Sequence, residues 1–359
     1  MYRLIVDCNA RIRSVTFKPF STGSSRARLT SAAGAERKRM MDTSVRRSCV
    51  VRFRKDMPHD TMDMTVTVHL LMSPASIAVL VSTSAIWGAS FLAIRVATPG
   101  FGAFGLAEVR CALATALMLL FLVAKKQALW PRKSTGEIIL LGLTTSAIPF
   151  VLIAYAAFTL PAPMLAILQT TMPLFGLLFA SAARIDRVTP KKIAGLFCGV
   201  VGVVLVVGWS PLALDRSVVI AVLSSLGGAA SYAISAVYTK IRFASVPATA
   251  TTLSQFAVTT ILLLPFALLD LPGRTPTDIQ LANALYAGLV GTGVGFLMYF
   301  WLVANAGIIA GISTAFLNPI FGVIFSAWLL SEDITPTQLA GFATILIGLT
   351  LVNVKTSGR

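Results

Sequence analysis

From residue 75 onward the chain alternates long apolar stretches with short polar breaks. Ten of those stretches approach the roughly 20 apolar residues that a helix needs to cross a bilayer. They are 75–97, 104–124, 136–158, 161–182, 190–209, 216–238, 248–269, 279–303, 308–330 and 336–354. The breaks carry proline, glycine or charge: Pro99-Gly100, Lys125-Lys126 with Pro131-Arg132-Lys133, Pro161-Ala162-Pro163, Pro211, Pro247 and Pro272-Gly273. Linkers this short require each helix to run antiparallel to the next. The pattern therefore predicts an all-α membrane protein with ten transmembrane helices.

Lysine and arginine remain preferentially on the cytoplasmic side of a membrane. With the N-terminus inside, the inner loops hold Lys125, Lys126, Arg132 and Lys133, then Arg184, Arg187, Lys191 and Lys192, then Lys240 and Arg242, with Lys355 and Arg359 at the end. The outer loops hold Arg216 and Arg274 together with Asp215, Asp270, Asp278, Glu332 and Asp333. Both termini are accordingly expected in the cytoplasm.

Two segments repeat. MPLFGLLFASAARIDRVTP, Met172 to Pro190, and NPIFGVIFSAWLLSEDITP, Asn318 to Pro336, share Pro-x-Phe-Gly-x-x-Phe, a charged stretch and Thr-Pro. A separation of 146 positions pairs Gly176 with Gly322, Phe179 with Phe325, Thr189 with Thr335, Pro190 with Pro336, Gly195 with Gly341, Gly202 with Gly348 and Val206 with Val352. The copies lie in spans 4 and 9, and five intervening spans turn the second copy upside down. That inversion explains a charge reversal: the earlier loop is basic and faces inward, the later one is acidic and faces outward. The expected organisation is a first five-helix repeat at 75–209 and a second, inverted one at 216–354, an arrangement known among secondary transporters, with their substrate site near the midplane between the repeats.

Composition agrees with this picture. Of 359 residues, 56% are hydrophobic and 12% charged, and the mean hydropathy is +0.82, far from a soluble domain. The net charge of +16 does not indicate nucleic acid. Residues 1–74 hold 14 Lys+Arg against 6 Asp+Glu, and the remaining excess sits in short clusters between apolar runs, with no basic face interleaved with aromatics. That basic segment, 1–74, lacks a stretch long enough to span and is expected to be disordered. Arg46-Arg47 resembles a twin-arginine signal, but Arg52, Arg54, Lys55 and Asp56 occupy the place of its uncharged core. The simpler reading is that translation starts at Met57, Met62, Met64 or Met72. Cys8, Cys49, Cys111 and Cys198 are far apart, with no Cys-x-x-Cys pair, and read as free thiols. His59 and His69 both precede the first span, so neither a metal site nor a cofactor is expected.

The residues IWGASFLAIRVA (86–97) in span 1, FGLAEVRCALATAL (104–117) in span 2 and the two Pro-x-Phe-Gly segments with their Thr-Pro-x-x-x-x-Gly continuations resemble the EamA-type transporters of the drug/metabolite transporter superfamily. The resemblance covers about residues 75–354. It implies a ten-helix inner-membrane carrier, commonly an exporter of amino acids or related metabolites. It also implies a central cavity built from spans 1, 3, 4, 6, 8 and 9, with spans 5 and 10 packed outside. The first copy departs from the family pattern at Ala182 to Arg187, and the second places Ser331 where glycine is usual.

Several polar groups fall within the apolar runs. Trp87 and Ser90 are three apart and share a face of span 1. Gln169 in span 4 and Asn318 in span 9 are amides that would be costly if unsatisfied, and they serve either as helix-to-helix bonds or in a substrate site. Pro173 and Pro319 mark matched helix interruptions, each freeing a backbone carbonyl. Tyr155, Tyr232 and Tyr299 offer hydroxyls from spans 3, 6 and 8, while Trp301 cannot share a face with Tyr299. Glu108 and Arg110 sit in the first turns of span 2, near Arg95, close enough to the surface to snorkel or pair. A gate or proton-coupling role for them is the alternative. The glycines at 195, 199 and 202 and from 288 to 295 suit close helix contact, and the chain has no Gly-Lys dipeptide and hence no phosphate-binding P-loop.

The expected partners are a small-molecule substrate and the lipid bilayer, with a homodimer left open and no nucleic acid. An intramembrane enzyme would need a nucleophile with a base or paired acids, and the spans hold no histidine and no acidic pair. The alternative to a carrier is a non-transporting subunit or receptor with the same fold.

Overall fold

The computed structural model describes residues 2–8, 12–17, 49–55, 73–185, 189–208, 215–270, 272–273, 275–331 and 334–353. They fall into two units, Met1–Leu70 and Leu71–Arg359.

The first unit holds β1 (Tyr2–Cys8), β2 (Ile12–Phe17) and β3 (Cys49–Lys55), an antiparallel sheet in the order β2-β1-β3 with Tyr2 opposite both Phe17 and Lys55. Regular structure was not expected from this part of the sequence. Its local cause is visible in β3, where Arg52 and Arg54 alternate with Val51 and Phe53, the two-residue period of a strand. The all-α description thus holds for the second unit.

In that unit every described element is helical: α1 (Pro74–Ala124), α2 (Thr135–Gly142), α3 (Ile148–Ala156), α4 (Ala162–Gln169), α5 (Met172–Ala182), α6 (Pro190–Gly208), α7 (Arg216–Arg242), α8 (Ala248–Leu269), α9 (Asp278–Leu285), α10 (Gly295–Ala306), α11 (Ile308–Leu330) and α12 (Pro336–Asn353). Leu143–Ala147 joins α2 to α3 as a π-helical stretch, and Tyr286–Val294 joins α9 to α10 in the same way.

The helix starts follow from local chemistry. Ser134 and Glu137 cap α2 reciprocally, as Thr277 and Gln280 cap α9. The duplicated Thr-Pro has the same explanation. Thr335 Oγ1 accepts from the Gln338 N–H at 3.2 Å, while the Thr335 N–H donates to Gln338 Oε1 at 3.1 Å. Thr189 Oγ1 accepts from the Lys192 N–H at 3.4 Å. Proline follows each cap at the first helical position, where its missing N–H costs nothing. At the C-terminal end of α11, Ser331 adopts a left-handed conformation (φ 53°), one that favours glycine, and its N–H still closes the helix on Ser326 O.

Among the described residues, eight helical stretches are long and apolar enough to cross a membrane, and Pro336–Leu351 is a shorter apolar helix. Ten were expected. Part of the difference lies in α1, whose 51 residues would measure about 77 Å against a hydrocarbon core of about 30 Å. Gly102, at φ 72° and ψ 171°, interrupts it and separates two helical rods. The second rod is capped from a distance: the Phe104 N–H donates to Asp270 Oδ2 at 3.3 Å.

Contacts between connections define two ends of the bundle. At one, Phe104 meets Asp270, Gly100 lies against Gln280, and Arg95 Nη1 donates to Ala157 O at 2.6 Å. At the other, Arg242 Nη2 lies 2.7 Å from Glu137 Oε1 and Thr249 Oγ1 donates to Gln127 Oε1 at 3.3 Å. Among the most deeply buried side chains, Leu106 comes from α1, Met164, Leu165, Ile167 and Leu168 from α4 and Leu160 from the turn before it, while Ile138, Phe256 and Leu302 add α2, α8 and α10.

The contact between α6 and α12 has a special form. A Cβ on Gly202 would stand 2.7 Å from Gly341 O, and one on Gly348 would stand 2.5 Å from Gly195 O. Adding 146 to Gly202 gives Gly348, and subtracting it from Gly341 gives Gly195. The two contacts are therefore the same contact with the repeats exchanged, the signature of a two-fold relation. As one helix advances from Gly195 to Gly202, its partner retreats from Gly348 to Gly341, so the helices run antiparallel.

Candidate functional site

The two π-helical stretches are repeat mates: 143–147 displaced by 146 falls on 289–293, inside Tyr286–Val294. A π turn pairs backbone groups five apart and leaves carbonyls poorly satisfied, which makes such turns frequent at functional positions. Here the other repeat supplies donors. Ser231 Oγ, from α7, donates to Thr144 O at 2.8 Å. Trp87 Nε1, from α1, donates to Gly291 O at 3.0 Å. Each half thus caps the irregular helix of the other. Within the second stretch, Thr292 Oγ1 also donates to Ala287 O at 2.7 Å.

Aromatic rings from five helices meet beside these stretches. Trp87 lies 5.8 Å from Phe296 and 5.5 Å from Tyr299, ring centre to ring centre. Phe296 meets Phe256 edge to face at 5.4 Å, Phe256 lies 6.4 Å from Phe150, and Phe150 lies 6.5 Å from Tyr232. Phe150 and Phe296 are again separated by 146. A cavity of about 280 Å³ opens next to Phe296, lined also by Thr145, Thr251, Thr252, Gln255 and Phe300, and so draws on both repeats.

The predicted residues divide accordingly. Trp87, Tyr232 and Tyr299 are in the aromatic centre. Ser90 is buried against Gly291 but donates within its own helix, to Ile86 O at 2.9 Å. Gln169 bonds helix to helix: its Nε2 donates to Ser225 O at 2.9 Å and lies 3.1 Å from Ser225 Oγ. Asn318 contrasts with it, since its Oδ1 is buried with no hydrogen-bond partner. Tyr155 is not brought to this group; it is 48% exposed and contacts Phe158.

The two prolines behave differently. Pro173 sits in the first turn of α5, after a break at Thr170 and Thr171 whose hydroxyls donate to Ile167 O and Leu168 O. Pro319 lies inside α11, which continues through it without a break. The expected matched interruption is therefore present at Pro173 alone.

Glu108 and Arg110 also differ from expectation. Instead of snorkelling they are 8% and 7% exposed, and they form no ion pair with each other. Arg110 Cζ lies 3.8 Å above the Phe150 ring, and its Nε and Nη2 both approach Thr292 Oγ1 at 3.4 Å. Glu108 Oε2 is buried without a hydrogen-bond partner. Among the described residues no group of three or more His, Cys, Asp or Glu stands where it could hold a metal. Sequence reading missed Phe150, Phe256, Phe296, Thr292 and Ser231. The signal available for them was the spacing of 146 and the glycines from 288 to 295, three of which meet Trp87, Ser90 or Arg110.

A unit of membrane-length apolar helices, built from two similar halves whose irregular helices are each capped by the other, has the architecture of membrane transport proteins. The chain belongs to the EamA-like transporter family, whose model matches it twice, at residues 74–208 and 219–354. It is 22% identical over 283 residues to the uncharacterized transporter YoaV of Bacillus subtilis, covering 78% of this chain and 97% of that protein. It is 27% identical over 296 residues to a probable terminal-alkyne amino-acid exporter of Streptantibioticus cattleyicolor, covering 78% and 94%. The uncharacterized inner membrane transporter YedA of Escherichia coli is 23% identical over 276 residues, covering 75% of this chain and 87% of that protein. A solved crystal structure superposes with a TM-score of 0.57 at 18% identity, covering 77% of this chain and 96% of that one.

Proposed function

We propose that this transporter is a secondary carrier of ten spans, in which halves 75–209 and 216–354 are inverted and both termini face the cytoplasm. It moves a small metabolite, in the export direction, by alternating access. The observation that carries this reading is the cross-capping of the π-helical stretches, Ser231 onto Thr144 and Trp87 onto Gly291. Two irregular helices held by donors from the opposite half are what a site between exchanging halves requires. The self-matching contact of α6 with α12 supports the inversion. So do the end contacts, which bring together only connections that the ten-span topology puts on one side. The kinship with a protein named as an amino-acid exporter supports a small metabolite as cargo.

In this reading Trp87, Tyr232, Tyr299 and Asn318 face the solute, with Ser90 behind Trp87. Gln169 holds span 4 to span 6, and Glu108 is the protonatable group that couples flux to a proton gradient. Purified protein in sealed vesicles, supplied with metabolite extract on one side, is expected to show protein-dependent redistribution of a metabolite. Sidedness is tested with single cysteines at Gly136 and Gly273 in a chain whose own cysteines are replaced by serine. Labelling of both from the same side would sink the inverted ten-span arrangement.

A further inference from the structure

Arg110 lies about 10 Å along the helix axis from Ala103, roughly a third of the way through a bilayer core. A guanidinium does not release its proton in a protein, so this buried residue is a fixed positive charge. The chain provides little to balance it. Nε and Nη2 share a single acceptor, Thr292 Oγ1, at 3.4 Å, long for a hydrogen bond, and that hydroxyl already donates to Ala287 O. The face of the guanidinium rests on Phe150. No carboxylate pairs with it among the described residues, where the ion pairs are Lys133 with Glu137 and Arg242 with Glu137. Glu108, two positions earlier on a helix, projects from a nearly opposite side and cannot close the gap. An unbalanced charge at this depth marks a place where a counter-charge arrives with function.

Resting on the carrier reading, we infer that Arg110 binds a carboxylate of the transported solute. A guanidinium presents parallel N–H donors that match one carboxylate, and a single positive charge is neutralised by one such group rather than by a doubly charged phosphate. Phe150 beneath the guanidinium and Tyr232 beside Phe150 fit an apolar or aromatic remainder on the solute. The substrate class is therefore a monocarboxylate with an apolar or aromatic skeleton. Thr292 positions the guanidinium from the π-helical stretch of the other half, so solute binding and the geometry of that stretch are connected through a single hydroxyl.

The test uses the full chain in detergent and two matched pairs of probes: phenylacetate against phenylacetamide, and L-phenylalanine against L-phenylalaninamide. Binding is followed by intrinsic fluorescence titration and by the thermal unfolding midpoint, with chloride at equal ionic strength as the reference. Each carboxylate is expected to bind about 30-fold or more tightly than its amide, the scale set by removing one member of a buried charge pair. Arg110→Gln should abolish that preference, and Arg110→Lys should keep part of it through the retained charge. Equal binding of acid and amide, no saturable response to either carboxylate beyond that to chloride, or an unchanged preference in Arg110→Gln would each overturn the assignment. If the glutamine variant does not fold, the acid and amide comparison on the unaltered chain decides. Flux separates the two readings: carboxylates that bind through Arg110 while no solute is carried leave the site standing and remove the carrier, whereas carboxylates carried as fast by Arg110→Gln as by the unaltered chain leave the carrier standing and remove the site.

Discussion

The seam between α6 and α12 yields a quantitative prediction. A methyl group placed on Gly202 would meet Ile345 Cγ1 at 2.6 Å, Gly341 O at 2.7 Å and Ile345 N at 2.9 Å, where ordinary contact begins near 3.4 Å. Gly202→Ala therefore requires the helices to part by about 0.5–0.8 Å, because two of the three obstacles are backbone atoms that cannot rotate away. A gap of that size forfeits about a quarter to a half of the dispersion well for each contact along the seam, and overpacking of this kind costs about 1–3 kcal/mol. Gly341→Ala, blocked by Gly202 O at 2.7 Å, should cost a similar amount. Together the two should cost clearly less than their sum, since the second methyl enters space the first has opened. Gly176→Ala is the control: no atom stands within 4 Å of the added carbon, and the better helix propensity of alanine should make it neutral or stabilising by up to about 1 kcal/mol. Equilibrium unfolding in mixed micelles titrated with sodium dodecyl sulfate measures the four variants against the unaltered chain. A Gly202→Ala protein as stable as the unaltered one, or single costs that simply add, would refute the close, coupled seam.

Two further predictions concern polar groups in the bundle. Gln169→Ala removes the bonds to Ser225 and should lower the yield of folded protein and flux in proportion, whereas Asn318→Ala should lower flux with folded yield unchanged, because Asn318 Oδ1 has no hydrogen bond to lose; equal loss of folded yield in both variants would assign both amides to packing. Glu108→Gln should leave downhill exchange in place while removing the response of flux to an imposed pH gradient, and a response that persists would exclude this carboxyl as the proton carrier.

How much of this was legible depended on how local each cause is. The caps at Thr189-Pro190 and Thr335-Pro336 act within one turn, so the duplicated motif could be read directly. The glycine pairs were legible as a repeat, though their meeting in space was not. The π-helical stretches were hidden because nothing in Leu143–Ala147 or Tyr286–Val294 demands the wider turn; the donors that satisfy it come from Ser231 and Trp87, 87 and 204 positions away. Arg110 was misplaced for the same reason. Snorkelling was a fair expectation for a charge in the first turns of a helix, but Phe150 and Thr292 cover it, and neither lies near it in sequence. Tyr155 shows the converse limit, since a hydroxyl in an apolar run does not say which way its helix face points.

The self-matching character of the glycine seam bears on movement. If the halves trade roles during a transport cycle, most contacts between them must be replaced by their repeat mates, but Gly202 with Gly341 and Gly195 with Gly348 are already each other's replacements. Such a pair is an axle: the rest of the bundle can rock about it while its own geometry stays fixed. Spin labels on the lipid-facing sides of α6 and α12 should accordingly report one unchanging distance whether the protein is held open to one face of the membrane or to the other.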